Sequence, residues 1–254
     1  MIALTRMAAI AACALSLSAP AVQAFDLNTM SAADREAFGA AVRSYLLENP
    51  EVILEAVDVL EQQQVNAEAA RDAALVAASL PELQNDGYSW VGGNPDGDIT
   101  LVEFMDYRCG YCRRAAPEIE ALMASDSNLR LVVKEFPILG EASVLSSRFA
   151  IATRLEAGDA AYKQIHDTLI AYTAEPNEVA LRRMAEGLSL DAEAILARMD
   201  DPEVTDQLQR TRALAQQLSI SGTPTFVLEE EMLRGYLPAD QMQIMIEEIR
   251  AARS

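Results

Sequence analysis

The chain has 254 residues, 39 acidic against 20 basic side chains, a net charge of −19 and one histidine. So acidic a surface is repelled by nucleic acid and by anionic membranes, which excludes both as expected partners and reads as a solubility device. Three cysteines in 254 residues are too few for a disulfide scaffold, so any thiol chemistry must be local.

The N-terminus has the form of a secretory signal over residues 1–24: Arg6 is its charge, 7–17 its short apolar run, and Val22-Gln23-Ala24 a small-residue cleavage site before Phe25. A lipoprotein signal ending at Cys13 is the alternative, with a very short apolar run. No later stretch has about 18 uninterrupted apolar residues, so no membrane span is expected in the mature chain. Export of this prokaryotic style points to the periplasm, where disulfides persist.

Residues 25–86 read as a helical segment. Ser31 and Asp34 form a helix-start signature before Phe38, Val42 and Leu46, which predicts a helix over 31–48. Asn49-Pro50-Glu51 stops it and starts a second, with Ile53, Val57 and Leu60 as its apolar stripe, continuing to Leu80 and ended by Pro81. Together the two helices carry more apolar stripe than a hairpin buries by itself. They either pack on their own catalytic domain or associate between subunits, and the spacing favours the second.

A turn cluster at 92–98 separates two expected strands, 88–91 and 100–105. Arg108-Cys109-Gly110-Tyr111-Cys112-Arg113-Arg114 then lies where the second strand turns into a helix. A helix start presents free N–H groups and a positive dipole end, so Cys109 is the expected thiolate nucleophile. Cys112, one turn along the same face, is the expected resolving thiol, and the three arginines add positive charge. Other readings of the pair remain. A zinc site lacks ligands, since only His166 and Cys13 are left to join the two thiols. A structural disulfide across so short a loop stabilises little. Copper(I) capture by two soft thiolates is chemically reasonable.

A buried strand is expected at 129–136, joined to the strand at 100–105 by a parallel crossover. A helical block follows over about 141–218, punctuated by Gly158, Pro176, Gly187 and Pro202. His166 has no motif around it and reads as a surface or capping residue. Strands return at 225–228 and 232–234, and a last helix over 238–252 turns Met242, Met245, Ile246 and Ile249 inward as core.

A strand ending in Cys109-Gly110-Tyr111-Cys112, Pro117 within the following helix, and Thr223-Pro224 just before a late strand resemble the thioredoxin fold; the inserted helical block resembles the DsbA family. The preceding helices and the Gly-Tyr dipeptide are most similar to the suppressor-of-copper-sensitivity protein C group. The resemblance implies an α/β thioredoxin domain over 87–254 with a helical insertion, preceded by a helical oligomerisation segment, and a redox-active Cys109–Cys112 disulfide with no further cofactor. It implies that Thr223 and Pro224 form a cis-proline loop which, with Gly110 and Tyr111, receives an extended substrate. Glu103 is implied as a buried acid serving proton transfer at the resolving cysteine, against the alternative of an ordinary strand-edge glutamate. The implied partners are cysteine-containing proteins, a membrane redox partner that reduces or oxidises the pair, and further copies of this chain, a trimer favoured over a dimer. The strongest oxidants of the family carry Pro-His where Gly110-Tyr111 stands, so an isomerase or reductase is expected ahead of a monomeric dithiol oxidase. A copper-binding protein using the same cysteines is the reading from another class.

Overall fold

A computed structural model of the protein describes residues 30–253. The expected signal segment, Cys13 and Phe25 lie outside the described residues. The chain divides into two compact units, one up to Leu60 and one from Glu61 onward.

In the first unit, α1 spans Ala32–Glu48 and is capped by Ser31, whose hydroxyl oxygen accepts the Asp34 N–H at 3.2 Å. α2 spans Glu51–Gln84, so Asn49 and Pro50 do interrupt the helical run. No residue of α1 is buried. Phe38, Val42, Ile53, Val57 and Leu60 are all exposed, which leaves the apolar stripe of this unit uncovered.

The second unit is built on a five-stranded sheet of order β1-β3-β2-β4-β5, with β1 at Trp90–Gly93, β2 at Ile99–Met105, β3 at Leu129–Glu135, β4 at Thr225–Leu228 and β5 at Glu231–Arg234. β2 and β3 are parallel, and the other three pairings are antiparallel. The parallel pair needs a crossover, supplied by α3, Gly110–Ser125. Every residue of β2 is buried, which is what a central strand covered on both faces requires and why its sequence is a continuous apolar run broken only by Thr100 and Glu103.

Between β3 and β4 lies the expected helical block: α4 at Glu141–Ala171, α5 at Glu178–Gly187, α6 at Ala192–Arg198 and α7 at Pro202–Gln217. The punctuation residues act as anticipated. Gly158, at φ +84°, breaks the course of α4 in a conformation that disfavours a side chain, and Pro202 opens α7 where its missing N–H costs nothing. The last helix, α8 at Ala239–Ala252, buries Met242 and Ile246 completely.

Two expectations are corrected. Pro81 does not end the second helix, which continues to Gln84. Leu83 is buried beside Val102, Phe104 and Val132, and cations cap the carbonyls at the helix end: Lys134 donates to the Glu82 carbonyl at 2.8 Å and Arg130 to that of Gln84 at 2.7 Å. These contacts outweigh the one backbone bond the proline removes. The boundary expected at 86/87 falls at 60/61, because Val76, Ser79 and Leu83 are buried in the second unit and Arg234 is paired with Asp72 at 2.8 Å.

The Lys134 side chain is fully buried, and its only charge partner among the described residues is Asp86, 2.5 Å away and almost as buried. Replacing Lys134 by Met removes one partner and leaves a buried carboxylate unpaired, a change that costs about 3–5 kcal/mol. Urea denaturation should show a loss of that size, and an unchanged midpoint would show that the pair is dispensable.

Candidate active site

β2 ends at Met105, and Asp106, Tyr107 and Arg108 form the turn into α3. Asp106 holds that turn in place. One carboxylate oxygen accepts the Arg108 N–H at 2.8 Å, and the other accepts the N–H groups of Ile138 and Leu139 at 2.8 and 3.1 Å. The segment after β3 is thereby tied to the segment before the cysteines.

Cys109 is the N-cap of α3, so its sulfur stands where the free N–H groups of the helix start collect. Both cysteines are free thiols here. The Cys109 thiol donates to the Thr223 carbonyl at 3.0 Å, and the Thr223-Pro224 bond is cis. Pro224 is buried and Thr223 half-buried, while Gly110 and Tyr111 stand exposed over the pair, Tyr111 at 61%. Cys112 is only 1% exposed. Its burial, and then the neighbouring Glu103 carboxyl, push its thiol far above the usual range.

Glu103 lies on the central strand, opposite Val133 of β3 on one side and Phe226 of β4 on the other. It is therefore no strand-edge glutamate. Burial first, and the Glu135 carboxylate second, push its carboxyl up to about 8. Glu103, Cys112, Met105, Ala116 and His166 line one cavity of about 30 Å³, enough for a water molecule. Its wall also carries Lys163, which pairs with Glu120 at 3.0 Å and Asp167 at 2.7 Å.

The three arginines have defined partners. Arg108 donates to the Ala174 carbonyl at 2.8 Å and pairs with Glu175. Arg113 donates to the carbonyls of Ile170 and Tyr107 at 3.0 and 3.3 Å, and Arg114 stacks over the Tyr236 ring at 4.5 Å. They lace α3 to the end of α4 and to the start of α8.

His166 corrects the expectation of a surface or capping residue. It is nine-tenths buried in α4 and stacks on Tyr162. Burial pulls its imidazole down to about 4, so it is neutral at physiological pH. No motif marks it, yet Tyr162, Ile165, His166 and Leu169 repeat at helical spacing and share the buried face. Glu135, Tyr107 and Asp106 carry no sequence signal either, because each is bonded to groups distant in the chain, Asp106 to the N–H groups of Ile138 and Leu139. Among the described residues no group of three or more His, Cys, Asp and Glu is arranged to hold a metal ion.

The pattern of a family described as "DSBA-like thioredoxin domain" matches residues 100–247, and that of the "Copper resistance protein ScsC N-terminal domain" matches residues 34–67. A thioredoxin-like oxidoreductase from Silicibacter pomeroyi is 40% identical, with 67% of this chain and 97% of that one covered and a TM-score of 0.63. A linker-deletion mutant of Proteus mirabilis ScsC is 25% identical over 88% of this chain and 98% of its own, with a TM-score of 0.67. The Na(+)/H(+) antiporter NhaA 3 of Salinispora tropica is 30% identical over 136 residues, and the chain covers only 21% of that protein's length.

The raised carboxyl of Glu103 makes stability depend on pH. Between the ordinary carboxyl range, near 4.5, and about 8 the unfolded chain has released this proton while the folded chain keeps it, so folding stability falls as pH rises through that window. Urea denaturation of the reduced protein at pH 5, 7 and 8.5 should show the fall, and Glu103→Gln should flatten it and become the more stable form at pH 8.5. The slope left in that variant comes from Glu135, whose burial raises its carboxyl to about 7, offset below about 6.5 by His166, whose lowered imidazole makes stability rise with pH, and joined at the alkaline end by the raised Cys112 thiol. Parallel pH profiles in the two proteins would mean that Glu103 ionises freely.

Proposed function

The chain belongs to the DSBA-like thioredoxin domain family, and from that membership we propose that it is a periplasmic protein thiol-disulfide oxidoreductase working through Cys109 and Cys112, with isomerisation or reduction of substrate disulfides as its main task. The observation that carries the reading is the asymmetry of the two thiols. Cys109 stands at a helix start against the Thr223 carbonyl, whereas Cys112 is sealed beneath it next to a carboxyl group.

In this mechanism Cys109 attacks a substrate disulfide, forming a mixed disulfide and releasing one substrate thiolate. The Thr223 carbonyl, which accepts from Cys109 in the free protein, is an acceptor that an extended substrate segment would take over, beside the exposed Gly110 and Tyr111. Cys112 then attacks the Cys109 sulfur, and its proton leaves through the cavity it shares with Glu103. When the internal disulfide is opened again, a protonated Glu103 supplies a proton to the departing Cys112 thiolate.

The exposed stripe on residues 32–60 and the ScsC-type match over 34–67 support assembly of several copies, a trimer ahead of a dimer, so that more than one site faces a single misfolded client. A membrane protein that reduces or oxidises the pair would complete the cycle.

Cys112→Ala stops resolution, so the variant should accumulate mixed disulfides with client proteins, released by dithiothreitol and seen on non-reducing gels. Absence of adducts from the variant, with copper(I) bound by the native protein through both thiolates, would instead support a binding protein.

The oligomeric isomerase is tested by refolding a scrambled-disulfide substrate with the full mature chain and with a chain starting at Glu61. The shorter chain should keep thiol reactivity and lose about a hundredfold of its isomerase activity, the low end of the gain that linking sites gives. Equal activity would leave the monomeric dithiol oxidase as the better description.

A further inference from the structure

Several buried polar groups behind α3 take no part in the exchange steps above. Glu135, at the end of β3, is fully enclosed. One of its oxygens accepts the hydroxyls of Tyr107 at 2.8 Å and Tyr162 at 2.6 Å, and the other accepts that of Ser147 at 2.7 Å. Three donors to one buried carboxyl favour its anion. Glu103 has no such donor among the described residues and keeps its proton to about 8, whereas Glu135 loses its proton near 7. At neutral pH Glu103 is therefore a good donor to a departing Cys112 thiolate, but a poor acceptor for the proton that Cys112 must lose when it attacks. Environments that push two carboxyls apart divide donor and acceptor roles between them.

Geometry supplies the connection. Tyr107 has a single hydroxyl proton, and it goes to Glu135. Its oxygen consequently accepts from His166 Nδ1 at 3.1 Å, which sets the ring as the Nδ1–H tautomer. Nε2 is left as a lone pair with no protein partner among the described residues, on a ring that lines the same cavity as Cys112 and Glu103.

We propose that His166, Tyr107 and Glu135 form a second proton path for the buried thiol, in which Glu135 takes up the proton that Cys112 releases as it resolves a mixed disulfide. The inference rests on the oxidoreductase reading above. The Cys112 S–H proton passes, through water in the shared cavity, to His166 Nε2; the Nδ1 proton moves to the Tyr107 oxygen as the Tyr107 hydroxyl proton moves to Glu135. His166 changes tautomer and stays neutral, and Tyr107 ends as a phenol. The Cys112 sulfur forms its bond to the Cys109 sulfur, the bond from Cys109 to the substrate sulfur breaks, and the substrate leaves as a thiolate. No outside oxidant or reductant enters the step.

The charged and titratable groups around this path come from every packed element. They are Glu103 from β2, Asp106 and the Arg113 guanidinium from the turn and α3, Glu120 from the cavity wall, and Arg154, Lys163 and Asp167 from α4. Lys163 is paired with both Glu120 and Asp167, so the cavity wall carries no isolated cation. β1 contributes only the uncharged Trp90, stacked on Tyr162.

The experiment loads Cys109 with glutathione and follows glutathione release by Cys112 between pH 5.5 and 9. The native protein should accelerate in two steps, near 7 and near 8. His166→Phe should lose the lower step, with resolution about tenfold slower at pH 7 and native-like above the upper step, and Tyr107→Phe should do the same. Folded variants that keep both steps would overturn the path and leave the cluster a structural one. In the native protein, a ¹³C carboxyl titration should give Glu135 different midpoints in the dithiol and disulfide forms. Identical midpoints would also overturn the proposal, whether or not the variants fold. Failure of Cys109 to form any mixed disulfide would instead remove the oxidoreductase reading, and this inference with it.

Discussion

A thiol and a carboxyl group enclosed together behind one helix cannot both carry charge, and the geometry around Cys112 and Glu103 follows from that constraint. Water is the usual refuge of a new charge, and the interior offers only fixed dipoles and a small cavity in its place. The proposed disulfide exchange would make and remove a thiolate at Cys112 in every cycle, so a proton would have to travel with each electron pair. The sheet order makes this enforceable. Glu103 sits on the central strand, and its side chain leaves the sheet face into the cavity closed by α3 and α4, where it is only 4% exposed.

The same helix gives its two cysteines opposite properties through position alone. Cys109 is the N-cap residue, 7% exposed, with its thiol on the Thr223 carbonyl; Cys112 is one turn further in, 1% exposed, where burial raises its thiol. That difference survives only if the entry angle of α3 is fixed. Asp106 fixes it from the strand side with three backbone N–H groups, and Arg113 from the far side with two carbonyls. Neither side chain is bonded to a cysteine sulfur, yet a tilt of the first turn would alter the setting of both sulfurs.

What the sequence shows and what it hides divide along the range of the interactions involved. The strand-to-helix junction at Cys109, the parallel crossover, the stops at Gly158 and Pro202, and the buried methionine face of α8 are all local or periodic, and each is found where the residue pattern puts it. His166 and Glu135 are different. Their environment is made by α4 folding back over β3, and nothing within a few residues of either signals it. Pro81 misleads for a related reason: a proline is a local stop signal, but Leu83, Lys134 and Arg130 hold the next turn from outside the helix. The arginines flanking the cysteines read as electrostatic neighbours of a thiolate, while in the fold their guanidinium groups are engaged by carbonyls, a carboxylate and an aromatic ring.

The first unit poses a separate physical problem. α1 is 17 residues long with no residue buried, and a helix of that length is marginal in water when only its own hydrogen bonds support it. Its Ser31 cap and the interruption at Asn49-Pro50 define where it begins and ends, but they do not supply the burial that stabilises most protein helices. The apolar side chains that could supply it are present, at Phe38, Val42, Ile53, Val57 and Leu60, and all of them face solvent in a single chain. The proposed assembly would cover them, since a second copy of the same sequence carries a matching stripe. Under the proposed assembly, association and helix stability in this unit would be one equilibrium, because the surface joining copies would also be the surface that supplies the helix with burial.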